Sequence, residues 1–113
     1  MNIDSIEKTL RAIKFFVNEE GKEVGRASLY LISNDLHAEP YGLLEDVYVE
    51  ESHRGRGLAT ELVNAIIARA KEEGCYKLIG QSRYAREDVH RMYEKVGFKD
   101  HGKNFRMDFA HAS

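Results

Sequence analysis

The chain has 113 residues, 42% of them hydrophobic, and a formal net charge of −2. This length predicts one compact domain, residues 1–113, with a modest core. Seventeen basic and nineteen acidic residues are too evenly balanced for a general nucleic-acid or membrane surface, and no apolar run approaches the roughly 20 residues that span a bilayer. One cysteine and five histidines without ligand spacing predict neither a disulfide nor a metal site.

The N-terminal third predicts a β-hairpin followed by a loop. Residues 9–17 alternate apolar and polar side chains and favour a strand, although their first apolar positions also fit a short helix. Residues 18–22 supply turn residues, and residues 24–33 resume the alternation. Residues 33–42 contain a proline and a glycine, and they predict a loop that leads to the next strand.

The stretch from Leu43 to Thr60 predicts a strand, a turn and the start of a helix. Residues 43–49 are mostly apolar and favour a strand buried on both faces. From Leu58 the apolar residues recur at helical spacing, and Gly74 is a natural C-terminal cap, which predicts a helix over 58–73.

The turn between this strand and helix has the composition of an anion site. Gly55 and Gly57 let the backbone take unusual dihedral angles and let a ligand approach the amides closely. Free N–H groups at the first helical turn, the helix dipole, Arg54 and Arg56 all favour phosphate. The spacing excludes a P-loop, and Thr60 stands where a dinucleotide fingerprint needs its third glycine.

The C-terminal third predicts one more strand–helix unit and a final hairpin. Residues 76–81 favour a strand parallel to 43–49, with a right-handed crossover. Apolar residues from Val89 to Val96 have helical spacing, and Gly97 ends that helix. Two pairing strands and a frayed tail complete the prediction: 98–101, 104–109 and 110–113.

Two motifs carry a family resemblance. The segment Val49-x-x-x-x-Arg54-Gly55-Arg56-Gly57-x-Ala59 resembles the acyl-CoA signature of the GNAT acetyltransferase superfamily, Arg/Gln-x-x-Gly-x-Gly/Ala after a strand. Tyr93-Glu94-Lys95-Val96-Gly97-Phe98 is similar to the Tyr-Glu-Lys-x-Gly-Phe segment that closes the acetyl-CoA site. The resemblance covers residues 10–109 and extends to small-amine and glucosamine-6-phosphate N-acetyltransferases.

The resemblance implies an α/β (α+β) fold with a mixed, mostly antiparallel sheet, a central splayed parallel pair and flanking helices. It also implies an acetyl-CoA-dependent N-acetyltransferase in which an amine of an unidentified small-molecule or peptide acceptor attacks the thioester directly. Acetyl-CoA is then the cosubstrate and no metal takes part. The alternative function is a CoA-binding regulatory or interaction module without turnover, and an RNA-contacting domain is a weaker third.

The same resemblance assigns the donor-binding residues. Pantetheine would lie in the gap of the splayed sheet against the backbone of Val47, Tyr48 and Val49. Asp88 stands where the family often has an asparagine that contacts pantetheine. The pyrophosphate would bind along one continuous segment: Arg54, Gly55, Arg56, Gly57, Leu58, Ala59 and Thr60. The competing interpretations are core packing for the strand and an ordinary polar turn for the segment.

Two side chains are candidates for the chemistry. An alkylamine with a pKa of about 10.4 is only on the order of one part in a thousand neutral at pH 7, so a nearby carboxylate is useful. Glu45 lies in the central strand and is the first candidate, and Asp46, expected on the opposite face, is the second; both can instead be ion-paired surface acids. Tyr93 is the candidate general acid for the departing thiolate, or else a core tyrosine.

Three further expectations concern the setting of the protein. Full members of the family begin with a strand and two helices over the acceptor site, whereas about eight residues precede the first predicted strand here. The resemblance therefore implies a short acceptor arm, and we expect a homodimer to cover the exposed side of the sheet. We also expect a cytoplasmic location, with neither a nucleic-acid nor a membrane partner.

Overall fold

The computed structural model describes residues 1–111. They divide into two compact units, residues 1–80 and the segment that starts at Gln81, which are described separately. The elements in chain order are β1 Ala12–Glu19, β2 Lys22–Ile32, β3 Tyr41–Val49, a 3-10 turn Glu51–His53, α1 Leu58–Glu72, β4 Leu78–Gly80 and α2 Glu87–Val96.

The first unit contains a four-stranded mixed sheet in the order β1-β2-β3-β4. The pairs β1–β2 and β2–β3 are antiparallel, and β3–β4 is parallel, which confirms the predicted fold class. The predicted hairpin turn is present, with φ of 51° at Glu20 and 77° at Gly21. Strand β1 begins later than predicted, and β4 keeps only the three residues Leu78–Gly80 of the predicted 76–81.

The core lies between α1 and one face of this sheet. The apolar stripe that predicted the helix is the buried one, with Leu62, Val63, Ile66 and Ala70 all inside. They pack with the inward residues of β2, of which Leu29 is fully buried. Helix α1 ends as the sequence predicted at Gly74, which has a φ of 76°. The other sheet face carries the polar and half-exposed side chains of each strand, and we call it the open face.

Strand β3 is interrupted by a β-bulge. Its register with β2 passes from Ser28↔Glu45 to Arg26↔Tyr48, so one β2 residue stands opposite both Asp46 and Val47. Asp46 has a φ of 54°, in the left-handed region. A bulge shifts the side-chain alternation by one residue. The prediction that Asp46 points away from Glu45 is therefore wrong, because the Asp46 carboxylate bonds to Arg26 on the open face that Glu45 also occupies.

The parallel pairing of β3 with β4 is short. It covers Gly42↔Leu78, Leu43↔Ile79 and Leu44↔Gly80 and then stops. From Glu45 to Val49, the edge of β3 away from β2 has no strand partner within residues 1–111. We call this segment the unpaired edge of β3.

The second unit contains α2, Glu87–Val96, which is ended as predicted by Gly97, with a φ of 115° at that glycine. The predicted strands 98–101 and 104–109 are wrong, because no strand forms between Gly97 and His111. They were expected to pair with each other around Gly102 and Lys103, and an isolated two-stranded hairpin is only marginally stable in water. The predicted tail 110–113 lies partly outside the described residues. Neither helix of residues 1–111 is long and apolar enough to cross a bilayer.

The core of the first unit makes a simple prediction for stability. Ile66 is 0% exposed, so Ile66→Ala leaves a cavity and should lower the free energy of unfolding by about 2–5 kcal/mol. Ile67→Ala is the matched control, because the adjacent side chain is only half-buried and should cost clearly less. Denaturant unfolding of both variants measures the difference, and equal losses would contradict this position for the core.

Candidate functional site

The loop between β3 and α1 has the glycine conformations that a close ligand approach needs. Gly55 and Gly57 have φ of 80° and 78°, a region that is unfavourable for side chains with a Cβ. A Cβ at either position would have nothing within 4 Å, so packing does not demand glycine there. The conformation itself demands it, and it leaves the backbone of the loop open to the solvent.

The backbone N–H groups of this loop lack acceptors. From Gly55 to Thr60, none donates to a protein acceptor within the described part of the chain. The first paired amide is that of Glu61, which donates to the Gly57 carbonyl oxygen at 3.0 Å and begins the helical ladder. Six successive free donors therefore lie at the N-terminus of a 15-residue helix, where the macrodipole is positive. This arrangement can bind an anion such as a phosphate group.

The two arginines of the loop have different surroundings. The Arg54 Nε donates to the Val49 carbonyl oxygen at 2.9 Å, and its guanidinium lies 5.8 Å from the ring centroid of Tyr48. Arg54 is thus tied to the end of β3. The exposed Arg56 makes no hydrogen bond or ion pair among residues 1–111, so its charge is available to a ligand. The sequence placed both arginines in the site equally, and the contacts distinguish a structural one from a free one.

The start of α1 is held against the sheet next to this loop. A Cβ on Gly25 of β2 would lie 3.0 Å from Leu58 Cδ2 and 3.3 Å from Leu62 Cδ1. The absence of a side chain at Gly25 therefore lets the first turn of α1 pack closely on β2. Of the predicted loop residues, Leu58, Ala59 and Thr60 are all half-buried in this first turn.

The two carboxylates at the bulge also differ. Asp46 accepts two hydrogen bonds from Arg26, at 2.7 Å from Nε and 3.2 Å from Nη2, so its charge is already balanced. Glu45 is half-buried and makes no hydrogen bond or ion pair with the described residues. Its carboxylate is therefore the one that remains able to bind a cation or take a proton. Val47 follows the bulge and is half-buried, whereas Tyr48 is 42% exposed on the open face.

The remaining predicted site residues lie in α2. Tyr93 packs its ring on Phe98, with centroids 5.1 Å apart, and the Phe98 N–H bonds to the Tyr93 carbonyl oxygen at 2.9 Å in the cap that Gly97 makes possible. Asp88 lies in the first turn of α2 and accepts two hydrogen bonds from Arg86, at 3.2 and 3.3 Å. That guanidinium holds the pKa of the Asp88 carboxyl below its usual range, so Asp88 is charged at neutral pH.

The first unit thus brings Glu45, residues 47–49 and residues 54–60 together along one strand and the loop that follows it. Tyr93 and Asp88 belong to the second unit. Sequence reasoning missed the bulge and with it the contact of Arg26 to Asp46. The only signal was an aspartate inside an apolar strand, a residue type that tolerates the left-handed region better than most. Within residues 1–111, no group of three or more histidine, cysteine or acidic side chains could hold a metal ion.

Comparison with known proteins identifies the family of this chain. The family model described as "Acetyltransferase (GNAT) family" matches residues 4–98. Glucosamine 6-phosphate N-acetyltransferase of Trypanosoma brucei brucei is 36% identical over 89 residues, which are 78% of this chain and 58% of that protein. Aminoglycoside N(6')-acetyltransferase type 1 of Stenotrophomonas maltophilia is 30% identical over 72% of this chain and 55% of its own length.

Solved structures give the same answer for the fold. A Trypanosoma brucei acetyltransferase matches with a TM-score of 0.80 at 32% identity, over 87% of this chain and 69% of the other. The chain spans between half and three fifths of the length of the two relatives named above. The match of the family model over most of the sequence establishes that this chain belongs to the GNAT acetyltransferase family.

Proposed function

We propose that the protein is an acetyl-CoA-dependent N-acetyltransferase in which an amine of the acceptor attacks the thioester directly. The observation that carries this proposal is the run of six unpaired amides from Gly55 to Thr60, which follows the unpaired edge of β3 after the 3-10 turn Glu51–His53. The unpaired amides suit a pyrophosphate, and the unpaired edge suits an extended chain with amide groups. In CoA a pyrophosphate is followed by the pantetheine arm, which is such a chain.

The donor is proposed to bind in two sections. Its pyrophosphate takes the free amides and the exposed Arg56, while Arg54 keeps the loop tied to Val49. Its pantetheine arm then runs back along the unpaired edge and exchanges main-chain hydrogen bonds with Val47 to Val49, as an added strand does. The arm is about as long as five strand residues, at about 3.3 Å each, so the thioester ends near Glu45 and the bulge.

The transfer itself needs a neutral amine, a polarised carbonyl and a proton for the leaving group. Glu45 takes a proton from the ammonium, directly or through water, and the freed nitrogen attacks the thioester carbon. A backbone N–H near Val47 donates to the carbonyl oxygen as negative charge develops on it. The C–S bond then breaks, and Tyr93 gives its phenolic proton to the thiolate. The attacking nitrogen loses its second proton to water, and exchange with the solvent returns Glu45 and Tyr93 to their starting states.

The acceptor is proposed to be a cationic amine. The relatives named above are acetyltransferases of glucosamine 6-phosphate and of aminoglycosides. On the open face, Arg26 and Lys14 are paired with Asp46 and Glu23, so Glu45 is the described acid there that no ion pair balances. An ammonium group suits that charge. A panel that includes glucosamine, glucosamine 6-phosphate and an aminoglycoside tests this, and we expect the acceptors without phosphate to be preferred.

Replacing Gly57 with leucine tests the pyrophosphate loop. The new side chain would occupy the side from which the ligand reaches the amides, and the dissociation constant for CoA should rise on the order of 100-fold. Gly21→Leu is the matched control, because that glycine has a φ of 77° and equally open surroundings in the β1–β2 turn. Calorimetry measures both variants, and unchanged affinity in Gly57→Leu would refute this binding site.

Replacing Tyr93 with phenylalanine tests the general acid. The ring contact with Phe98 remains, so the packing of the ring is kept and CoA affinity should change little. The rate of acetyl transfer should fall on the order of 100-fold, the usual effect of a lost general acid. Wild-type turnover in this variant would remove Tyr93 from the mechanism. A wild-type protein that binds acetyl-CoA tightly but acetylates no amine would instead favour the module without turnover.

We further propose that the protein is a homodimer. Phe16 and Tyr30 lie on the open face and are 53% and 43% exposed, which is a large apolar area for a surface without a partner. Light scattering should give the mass of two chains at micromolar concentration, and Phe16→Lys should shift it toward one. Phe105→Lys, at an exposed aromatic outside the sheet, is the control. A monomeric wild type would contradict the dimer.

A cytoplasmic location goes with this proposal. Acetyl-CoA is an intracellular donor, and Cys75 is a free, half-buried thiol that suits a reducing compartment. Burial raises the pKa of the Cys75 thiol above its ordinary value, so the reactive thiolate is scarce at neutral pH.

A further inference from the structure

The bulge in β3 depends on a backbone conformation that needs support. Asp46 has a φ of 54°, which few side chains adopt without cost. In an antiparallel pair a bulge reorients the peptide groups that follow the extra residue. The direction of the Val47 N–H is therefore set by how firmly Asp46 is held.

Arg26 contacts the residues on both sides of Val47. Its guanidinium donates from Nε and Nη2 to the two carboxylate oxygens of Asp46, at 2.7 and 3.2 Å. The same group lies 4.8 Å from the ring centroid of Tyr48, its register partner across the β2–β3 pair. One side chain on β2 thus holds both neighbours of Val47 on β3.

We propose that Arg26 is a positioning residue for acetyl transfer, which clamps Asp46 and Tyr48 and thereby fixes the Val47 amide toward the thioester oxygen. This inference rests on the proposed function. Arg26 acts through β3 and touches neither the donor nor the acceptor. Its effect falls on the carbonyl-polarising amide, whereas the pyrophosphate loop is held by the separate contact of Arg54 with Val49.

The clamp depends on the shape of arginine as well as on its charge. A planar guanidinium can bond both carboxylate oxygens while it stacks on an aromatic ring, and an ammonium group cannot reproduce this two-point contact. Arg26→Lys therefore keeps the charge on the open face but should lose most of the positioning. A role through charge alone would leave Arg26→Lys fully active.

The first test separates the rate from donor binding. In Arg26→Lys and Arg26→Gln, kcat should fall about 10-fold or more, while KM for acetyl-CoA stays within about twofold. Arg11→Gln is the matched control, because it removes a guanidinium that bonds both carboxylate oxygens of Glu73 and contacts neither Asp46 nor Tyr48. It should retain the wild-type kcat. Wild-type kcat in both Arg26 variants, or a parallel rise in KM, would overturn the clamp.

The second test asks whether Arg26 and Asp46 act as one unit. If they do, Asp46→Asn should lower kcat about as much as Arg26→Gln, and the double variant should be no slower than either. Additive losses would overturn the proposal, and so would a far larger loss in Asp46→Asn alone, since that would make Asp46 a catalytic base. Asparagine tolerates a positive φ as well as aspartate does, so this substitution removes the ion pair and leaves the backbone preference.

A third measurement does not depend on turnover. In backbone NMR of the free protein, Arg26→Gln should change the φ-sensitive coupling constant of Asp46 and the amide shift of Val47, whereas Arg11→Gln should leave both unchanged. An unaltered bulge in Arg26→Gln would overturn the clamp even in an active enzyme. A wild type that transfers no acetyl group to any amine would overturn the proposed function itself, so the two failures are distinct.

Discussion

The site depends on main-chain hydrogen bonds that the protein leaves unmade. Strand β4 stops at Gly80, so β3 is paired on both sides only as far as Leu44. Beyond that point the chain continues to Val49 with a free edge, passes through the 3-10 turn and then enters the segment from Gly55 to Thr60, whose amides also lack acceptors. Unpaired backbone donors are costly to bury, and a protein keeps such a run exposed to water or supplies it with a ligand. The unpaired stretch therefore defines the surface on which we propose that CoA binds.

The backbone conformation of the free edge must still be fixed, and side-chain contacts within the first unit do this. Arg54 bonds to the carbonyl oxygen at the end of β3, and Leu58 packs over Gly25 where α1 begins. Arg26 holds the bulge through Asp46 and Tyr48. None of these contacts uses the amides proposed for the ligand. Fixing the backbone in advance lowers the entropy that binding would otherwise lose.

The sequence predicted the features that follow from local rules. Helix α1, its glycine cap, the β1–β2 hairpin and the glycine loop all depend on spacing or on the conformational freedom of glycine, and each is present. The two strands predicted after Gly97 are absent, since two short segments around a turn lack the further neighbour that a stable sheet needs. Apolar–polar alternation cannot predict the bulge at Asp46, because one extra residue moves every following side chain of the strand to the other face of the sheet. Tertiary contacts also decided that Arg54 is structural and Arg56 free.

Amide hydrogen exchange, measured with and without CoA, tests the central claim most directly. In the free protein the amides from Gly55 to Thr60 should exchange rapidly, while those from Val63 to Ala70 inside α1 are protected. Saturating CoA should slow the loop amides by about 10-fold or more, since each then has an acceptor. Loop amides that are already protected in the free protein, or CoA binding that leaves their exchange unchanged, would contradict the account.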